Sequence, residues 1–206
     1  ANFKIIETHI DQASYQSCDL VCLPEVCSYR PSSFFGYKGE SINGDIISHF
    51  RQLAQSYNVG ILVGSFAEAG ENGKLYNTSV LIENTGQICC TYRKLHLFDV
   101  DKDDLHIHES QVFQSGKQSC AYSFGGWMIG LSICFDVRFP ALYDHYRQQG
   151  VNLIMIPASF TTKTGQAHWE LLIRARAVET QAYVVAPNQY GPGSNGIDTF
   201  GNSMIV

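Results

Sequence analysis

The chain has 206 residues, of which 45% are hydrophobic and 16% are charged, and its formal net charge is -5 at pH 7. This composition is typical of a globular protein with a sizeable core, and the negative charge argues against a nucleic-acid partner because such binders carry a basic face that neutralises phosphates. The apolar runs fall short of the roughly 20 residues that a membrane span requires, and no signal-like segment opens the chain. We therefore expect a soluble, cytoplasmic protein.

Helix-like and strand-like stretches alternate along the chain, which favours a layered α/β fold. Apolar residues at helical spacing, followed by Asn58 and Gly60, support the second predicted helix. The predicted helices cover residues 3–13, 44–57, 140–149 and 168–180. The predicted strands cover residues 19–25, 61–66, 76–83, 87–92, 127–133, 152–157 and 183–186, with a hairpin turn at 84–86.

The middle and the ends of the chain depart from this alternation. Residues 98–119 are polar and lack clear periodicity, and a connection of that length is predicted to be a lid or a binding loop. Because no repeat, linker or low-complexity tract divides the sequence, we predict one domain over residues 1–206. The first helix has no strand before it and residues 203–206 resemble part of a strand, so we expect that the chain lacks a first strand and a C-terminal region.

Three of the predicted strands end at residues that are able to do chemistry. One apolar run ends at Cys134, another ends at Glu25, and a third leads through Arg93 to Lys94. Because an open α/β sheet keeps its active site at its strand ends, the three side chains are expected to converge in one crevice. Cys134 would be a nucleophile whose pKa is lowered by a strand-to-helix turn and by Lys94. Glu25 would serve as general base and acid, and Lys94 would donate to an oxyanion.

Other interpretations of these residues stay open at the level of sequence. A free cysteine is more often a buried core residue, and Glu25 and Lys94 taken singly fit solvent-exposed strand ends. A Cys-His pair is the commoner way to activate a thiol, and five histidines are available for it: His96, His106, His108, His145 and His168. The cysteines lie mostly in apolar strands, which favours free thiols over disulfides, and their spacing argues against a zinc site.

Three ordered segments carry a resemblance to a known family. Residues 23–25 (Leu-Pro-Glu), 92–99 (Tyr-Arg-Lys-Leu-His-Leu-Phe-Asp) and 132–140 (Ser-Ile-Cys-Phe-Asp-Val-Arg-Phe-Pro) resemble the nitrilase, or carbon-nitrogen hydrolase, superfamily in their order and spacing. The resemblance covers essentially the whole chain. It implies an α/β fold in the form of a four-layer αββα sandwich, apparently truncated at both ends in this chain.

The same resemblance implies the roles of the site residues. Glu25, Lys94 and Cys134 would form a catalytic triad, and Glu109 would be a second glutamate that helps to position Lys94 and the substrate. The backbone N–H of Phe135 would hold the oxyanion together with Lys94. The implied reaction proceeds through a thioester on the cysteine and requires no metal or organic cofactor.

A narrower likeness concerns the branch that contains deaminated glutathione amidase and omega-amidase. It rests on residues 93–100, 165–170 and 174–181, and it implies hydrolysis of the terminal amide of a 2-oxo acid in a homodimer or larger homo-oligomer. Ala141 and Gln166 depart from the branch pattern, which usually has glutamate and proline at these positions. The alternatives are an N-carbamoyl amide or nitrile hydrolase, or a non-catalytic partner protein with the same fold.

Two arginines of these motifs have two interpretations. Arg138 and Arg174 could hold a carboxylate of the substrate. The favoured interpretation is structural, in which they pair with buried carboxylates such as Asp136 or Glu179.

Overall fold

Two β-sheets lie face to face in the computed structural model, which describes residues 2–102 and 105–206. The helices are α1 (Asn2–Tyr15), α2 (Asp45–Tyr57), α3 (Pro140–Gln148) and α4 (Thr162–Thr180). The strands are β1 (Leu20–Cys22), β2 (Gly60–Ala69), β3 (Leu75–Ile82), β4 (Ile88–Arg93), β5 (Asp99–Lys102), β6 (Leu105–His108), β7 (Cys120–Phe124), β8 (Trp127–Leu131), β9 (Leu153–Met155), β10 (Tyr183–Ala186), β11 (Tyr190–Gly191), β12 (Thr199–Phe200) and β13 (Met204–Ile205).

Each main sheet mixes parallel and antiparallel pairs. The first sheet has the order β1-β2-β3-β4, in which β1 and β2 are parallel and the other pairs are antiparallel. The second sheet has the order β13-β10-β9-β8-β7, with a parallel centre of β8, β9 and β10 and antiparallel edges. The strand that precedes Cys134 is therefore a parallel neighbour of β9, as its unbroken apolar run predicted.

Four layers follow from the alternation of side chains along β2. Ile61 and Val63 belong to an apolar cluster with α1 and α2, whereas Leu62 belongs to a second cluster with the other sheet. The second cluster continues beneath α3 and α4 through Tyr146 and Trp169, both fully buried. The predicted αββα sandwich is confirmed. No helix in the described part of the chain has both the length and the apolar character needed to cross a bilayer.

The structure differs from the predicted elements in several places, among them the short strands β11 and β12, which were not predicted. Helix α4 begins at Thr162, six residues before the predicted start, because Thr161 caps it by accepting a hydrogen bond from the Thr164 N–H (3.3 Å). The predicted loop 98–119 contains the small hairpin of β5 and β6, and the strand β7 after it was not predicted. The strands β5 and β6 pair only with each other in the described part of the chain. Their side chains therefore lack the alternation of apolar and polar residues that predicts a strand packed on a core.

A β-bulge in β2 positions the segment that leads to Glu25. The pairing of β2 with β3 shifts register between Val63 and Phe66. A Cβ atom added to Gly64 would lie 2.0 Å from the Leu23 carbonyl oxygen, so only glycine permits this close approach of the two backbones. The next residue, Ser65, accepts a hydrogen bond from the Val26 N–H at 2.8 Å.

We expect Gly64→Ala to destabilise the protein by about 3 kcal/mol, because the added methyl group must displace the backbone before Glu25. The matched control is Gly125→Ala, at a site where an added Cβ meets no atom within 4 Å and where only the positive φ of 56° is unfavourable. That control should cost about 1–2 kcal/mol. Urea denaturation of the two variants measures both costs, and equal costs would contradict the close approach.

Candidate functional site

The structure brings the sequence-predicted residues together at one cavity. Glu25 follows β1, Lys94 follows β4, and Cys134 follows β8. The first sheet therefore supplies Glu25 and Lys94 to the cavity, and the second sheet supplies Cys134. Glu109 reaches the same cavity from the turn after β6. All four side chains are at least nine-tenths buried. The cavity has a volume of about 160 Å³ and is partly open to solvent.

Lys94 lies between the two glutamates. Its Nζ is 3.0 Å from Glu25 Oε1, and it is 3.0 and 2.9 Å from the two carboxylate oxygens of Glu109. Burial alone lowers the pKa of Lys94, but Glu109 and then Glu25 outweigh burial and hold its pKa well above the ordinary value. Lys94 is therefore an ammonium ion at neutral pH, and it shares its charge with two carboxylates.

Asn77 fixes the distance between these two carboxylates. Its Nδ2 donates to Glu25 Oε1 at 2.8 Å and to Glu109 Oε1 at 3.2 Å. Its backbone carbonyl oxygen also accepts from the backbone N–H of Lys94 at 2.9 Å. Sequence reasoning missed Asn77. The available signal was a run of polar residues, Asn77 to Ser79, that interrupts an otherwise apolar and buried strand.

Glu109 is held by the backbone as well as by Lys94. The Phe98 N–H donates to Glu109 Oε2 at 2.6 Å, and the Glu109 N–H donates back to the Phe98 carbonyl oxygen at 3.2 Å. Burial raises the pKa of Glu109, the Lys94 ammonium opposes this rise, and the Glu25 charge adds to it. The predicted polar loop thus delivers a buried carboxylate to the site.

Cys134 lies at a sharp turn between β8 and a short 3-10 helix over Cys134–Arg138. Its φ of 49° is in the left-handed region, which residues other than glycine rarely adopt. Its backbone N–H donates to the Pro157 carbonyl oxygen at 2.9 Å. The next amide, that of Phe135, belongs to the first turn of the 3-10 helix, where N–H groups lack a partner within the helix.

Asp136 holds this turn in place. One carboxylate oxygen accepts from the Ile133 N–H (2.9 Å) and the Tyr92 hydroxyl (2.7 Å). The other oxygen accepts from the His96 N–H at 2.9 Å and lies 2.7 Å from His96 Nδ1. The Asp136 side chain is fully buried. It joins the strand end that carries Cys134 to the strand end that carries Lys94.

The predicted lowering of the thiol pKa is wrong. Burial is the largest effect on Cys134 and raises its pKa well above the ordinary value. The negative charge of Glu25 and a hydrogen bond with its carboxylate act in the same direction, while Lys94 opposes them. Cys134 is therefore a neutral thiol at neutral pH, with a carboxylate beside it that is able to accept its proton.

The histidines have other neighbours in the structure. His96 stacks on Phe139 with ring centroids 3.6 Å apart, in addition to its contact with Asp136. His106 and His108 line the cavity and approach the exposed Asp101. The remaining two predicted candidates lie on helices, where the contacts are His145 with Gln149 and His168 with Arg138.

The predicted pairing of the two motif arginines with Asp136 and Glu179 is wrong. Arg138 lies 3.2 Å from His168 Nδ1 and packs over the ring of Phe135. Arg174 donates to Glu170 at 2.8 Å on the exposed face of α4, which is the (i, i+4) pair expected for that helix. Glu179 pairs instead with Arg176. Neither Arg138 nor Arg174 lines the cavity, whereas Arg30, which sequence reasoning did not consider, does.

Comparisons with known proteins identify the family and the fold of the chain. The chain matches the carbon-nitrogen hydrolase family over residues 1–206. It is 40% identical over 213 residues to the deaminated glutathione amidase of Synechocystis sp., covering 100% of this chain and 78% of that protein. The protein of the same name from Dictyostelium discoideum is 34% identical over 216 residues, with coverage of 100% and 74%. Among solved structures, the chain is similar to the crystal structure of Saccharomyces cerevisiae Nit3, a member of branch 10 of the nitrilase superfamily. The TM-score is 0.86 and the sequence identity is 28%, and the match covers 100% of this chain and 75% of that chain.

We expect Asp136→Asn to cost about 3 kcal/mol of unfolding free energy, because an amide nitrogen replaces an acceptor and leaves buried donors unsatisfied. The matched control is Tyr92→Phe, which removes one of these donors and keeps the carboxylate, and it should cost about 1 kcal/mol. Chemical denaturation measures both values. A cost for Asp136→Asn no larger than that of Tyr92→Phe would show that Asp136 does not hold the turn.

We also expect Glu25→Gln to lower the pKa of Cys134, because the substitution removes a negative charge beside the thiol. In the unaltered protein, the Cys134 thiolate should form only at a pH above the pKa of an ordinary cysteine. The pKa of Cys134 is measured from the pH dependence of the ultraviolet absorbance of its thiolate. The absorbance of the Cys134→Ser variant is subtracted to remove the contribution of the other cysteines. Glu170→Gln, on the exposed face of α4, is the control. An unaltered Cys134 that is already ionised at neutral pH would contradict the expectation.

Proposed function

The chain belongs to the carbon-nitrogen hydrolase family, and on that premise we propose that it is an amidase for a small carboxamide of the 2-oxo-acid omega-amide or deaminated glutathione type. The products are the corresponding acid and ammonia. One observation carries the proposal: an ammonium ion held by two buried carboxylates lies in the same cavity as a buried cysteine. The names of the relatives support the amide as substrate class.

In the first half of the reaction, Glu25 accepts the proton of the Cys134 thiol while the sulfur attacks the amide carbonyl carbon. A general base is needed because the thiol is neutral at rest. The oxyanion of the tetrahedral intermediate accepts hydrogen bonds from the Lys94 ammonium and the Phe135 N–H. Glu25 then gives the proton to the amide nitrogen, the C–N bond breaks, ammonia leaves, and a thioester remains on Cys134.

In the second half, Glu25 accepts a proton from a water molecule as its oxygen attacks the thioester carbonyl. The same two donors hold the second oxyanion. The C–S bond then breaks, the sulfur of Cys134 recovers the proton from Glu25, and the acid departs. Glu25 therefore acts as base and acid in turn, and the atoms and protons of the enzyme return to their starting state.

The geometry of Lys94 explains how one ammonium serves three groups. An ammonium has three N–H donors. One points to Glu25, and the two oxygens of Glu109 at nearly equal distances share a second. The third remains for the oxyanion. Glu109 and Asn77 would therefore be positioning residues, since they hold Lys94 and Glu25 at a fixed separation.

We expect brief incubation with a 2-oxo-acid amide to add an acyl group to Cys134 and to release ammonia, because the thioester is an obligatory intermediate of the proposed reaction. Intact-protein mass spectrometry detects the adduct, and a coupled assay detects ammonia. Cys134→Ala should abolish both signals, whereas Cys120→Ala, at a thiol outside the cavity, should abolish neither.

Parallel reactions with a carbamoyl amino acid and a nitrile separate the alternatives. Ammonia released faster from either of these than from the amide would reassign the substrate class within the family. A folded protein that gives no adduct and no ammonia with any of the three would favour a non-catalytic role.

A further inference from the structure

Two thiols meet between the two sheets, outside the cavity. Strand β4 is the last strand of the first sheet and β7 is the last strand of the second, and Cα atoms of these two strands lie within 8 Å of each other. Stacked sheets are usually about 10 Å apart, so the two edges approach more closely than is usual. Cys90 of β4 and Cys120 of β7 are in side-chain contact at this approach. Neither residue lines the cavity.

Strand pairing explains why both thiols point into the space between the sheets. Cys90 lies opposite Leu81 of β3, which packs in the cluster shared with the second sheet. Cys120 lies opposite Leu131 of β8. An added Cβ at Gly130 would meet helix α3, so the next residue, Leu131, faces the first sheet. Because directly paired residues have their side chains on the same face of a sheet, Cys90 and Cys120 face each other.

A β-bulge distinguishes Cys90 from the neighbouring Cys89. The pairing of β4 with β3 shifts register here, and Cys89 is the extra residue. The Cys89 thiol has other partners, because it forms side-chain hydrogen bonds with Tyr122 and Glu83. Burial and the charge of Glu83 raise the pKa of Cys89 to about 11. Cys89 is therefore a matched comparison for Cys90, adjacent in sequence and different in partner.

The contact between the two thiols makes them chemically unequal. The Cys90 S–H donates to the Cys120 sulfur, which raises the pKa of Cys90, and burial adds to this rise. The same hydrogen bond lowers the pKa of Cys120, although burial opposes the change. Both residues are half-buried, whereas Cys134 is buried and has a pKa well above the ordinary value. Of these three thiols, Cys120 therefore ionises most readily, and a thiolate is the form that reacts with oxidants.

We propose that Cys120 and Cys90 are a peroxide-sensitive pair, in which peroxide oxidises Cys120 and Cys90 then closes a disulfide between the two sheets. The Cys120 thiolate attacks one oxygen of hydrogen peroxide, the O–O bond breaks, and a sulfenic acid and hydroxide form. That hydroxide takes up the proton that Cys120 released on ionisation. The Cys90 sulfur then attacks the sulfenic sulfur, the S–O bond breaks, and the departing hydroxide takes up the Cys90 proton. The two thiols lose two electrons, and peroxide is reduced to two water molecules.

The disulfide would connect the strands that lead to Lys94 and Cys134. Strand β4 ends immediately before Lys94, and β7 pairs with β8, which leads to Cys134. A bond between residues 90 and 120 also closes a long loop and so lowers the entropy of the unfolded chain. Oxidation should therefore stabilise the contact between the sheets while Cys134 stays reduced. This inference does not depend on the proposed function, since neither thiol of the pair takes part in the proposed reaction.

The test identifies which thiols become linked. The full chain is treated with an equimolar amount of hydrogen peroxide, the remaining thiols are blocked with N-ethylmaleimide, and peptides are analysed without reduction by tandem mass spectrometry. We expect a peptide pair joined through Cys90 and Cys120, which dithiothreitol separates. The matched control, Cys89→Ala, should form the same link. Cys90→Ala should leave a sulfenic acid on Cys120 that dimedone traps, and Cys120→Ala should give neither product. A link through Cys89, or an oxidised Cys134 beside a reduced pair, would overturn the proposal.

Thermal unfolding gives an independent measurement. Oxidation should raise the unfolding temperature of the unaltered protein by about 10 °C, as expected for a disulfide that closes a loop of this length, and it should not change that of Cys120→Ser. No rise in the unaltered protein, or an equal rise in the variant, would reject the link. If the variants do not fold, labelling of the unaltered protein with iodoacetamide decides. Cys120 should then react at least about 10-fold faster than Cys134, and a faster reaction of Cys134 would reject the pair.

Discussion

A lysine ammonium held between two buried glutamates is the interaction on which the whole site depends. Burying three charges is costly, and their mutual attraction compensates only when the geometry and the additional hydrogen bonds are good. Here Asn77 donates to Oε1 of both carboxylates and the Phe98 N–H donates to Oε2 of Glu109, whereas the buried Asn77 Oδ1 accepts no hydrogen bond within the described part of the chain. These bonds tie the end of β4 to the end of β1 and to the turn after β6. The charged cluster therefore links distant segments of the chain, and in the proposed reaction it is also the chemical centre.

The second constraint is the turn that holds Cys134. A positive φ at a cysteine is unfavourable by itself and persists only where surrounding contacts determine it. Asp136 supplies these contacts by accepting bonds from Ile133 before the cysteine and from Tyr92 and His96 on either side of Lys94. The two sheets are thus joined at the site by one buried carboxylate. Displacement of either sheet would move the thiol away from the ammonium.

The high pKa of the thiol has a consequence for how such a site would operate. A cysteine that is already ionised needs no base, whereas a buried neutral thiol reacts only when a neighbouring group accepts its proton. Glu25 lies beside Cys134 and is anchored by Lys94 and Asn77.

The sequence by itself determined the α/β class, most element positions, and the placement of Glu25, Lys94 and Cys134 at strand ends, because apolar periodicity and turn residues are local properties. We predicted their convergence at one cavity because the active site of an open α/β sheet lies at the ends of its strands. Only the tertiary structure placed Asn77 against Glu25, which lies 52 residues away in the sequence, and Arg30 at the cavity wall. It also reversed the expected direction of the thiol pKa, since desolvation depends on what packs around a group. Local pattern identifies which residues are able to react, whereas burial and long-range hydrogen bonds decide their charge and their neighbours.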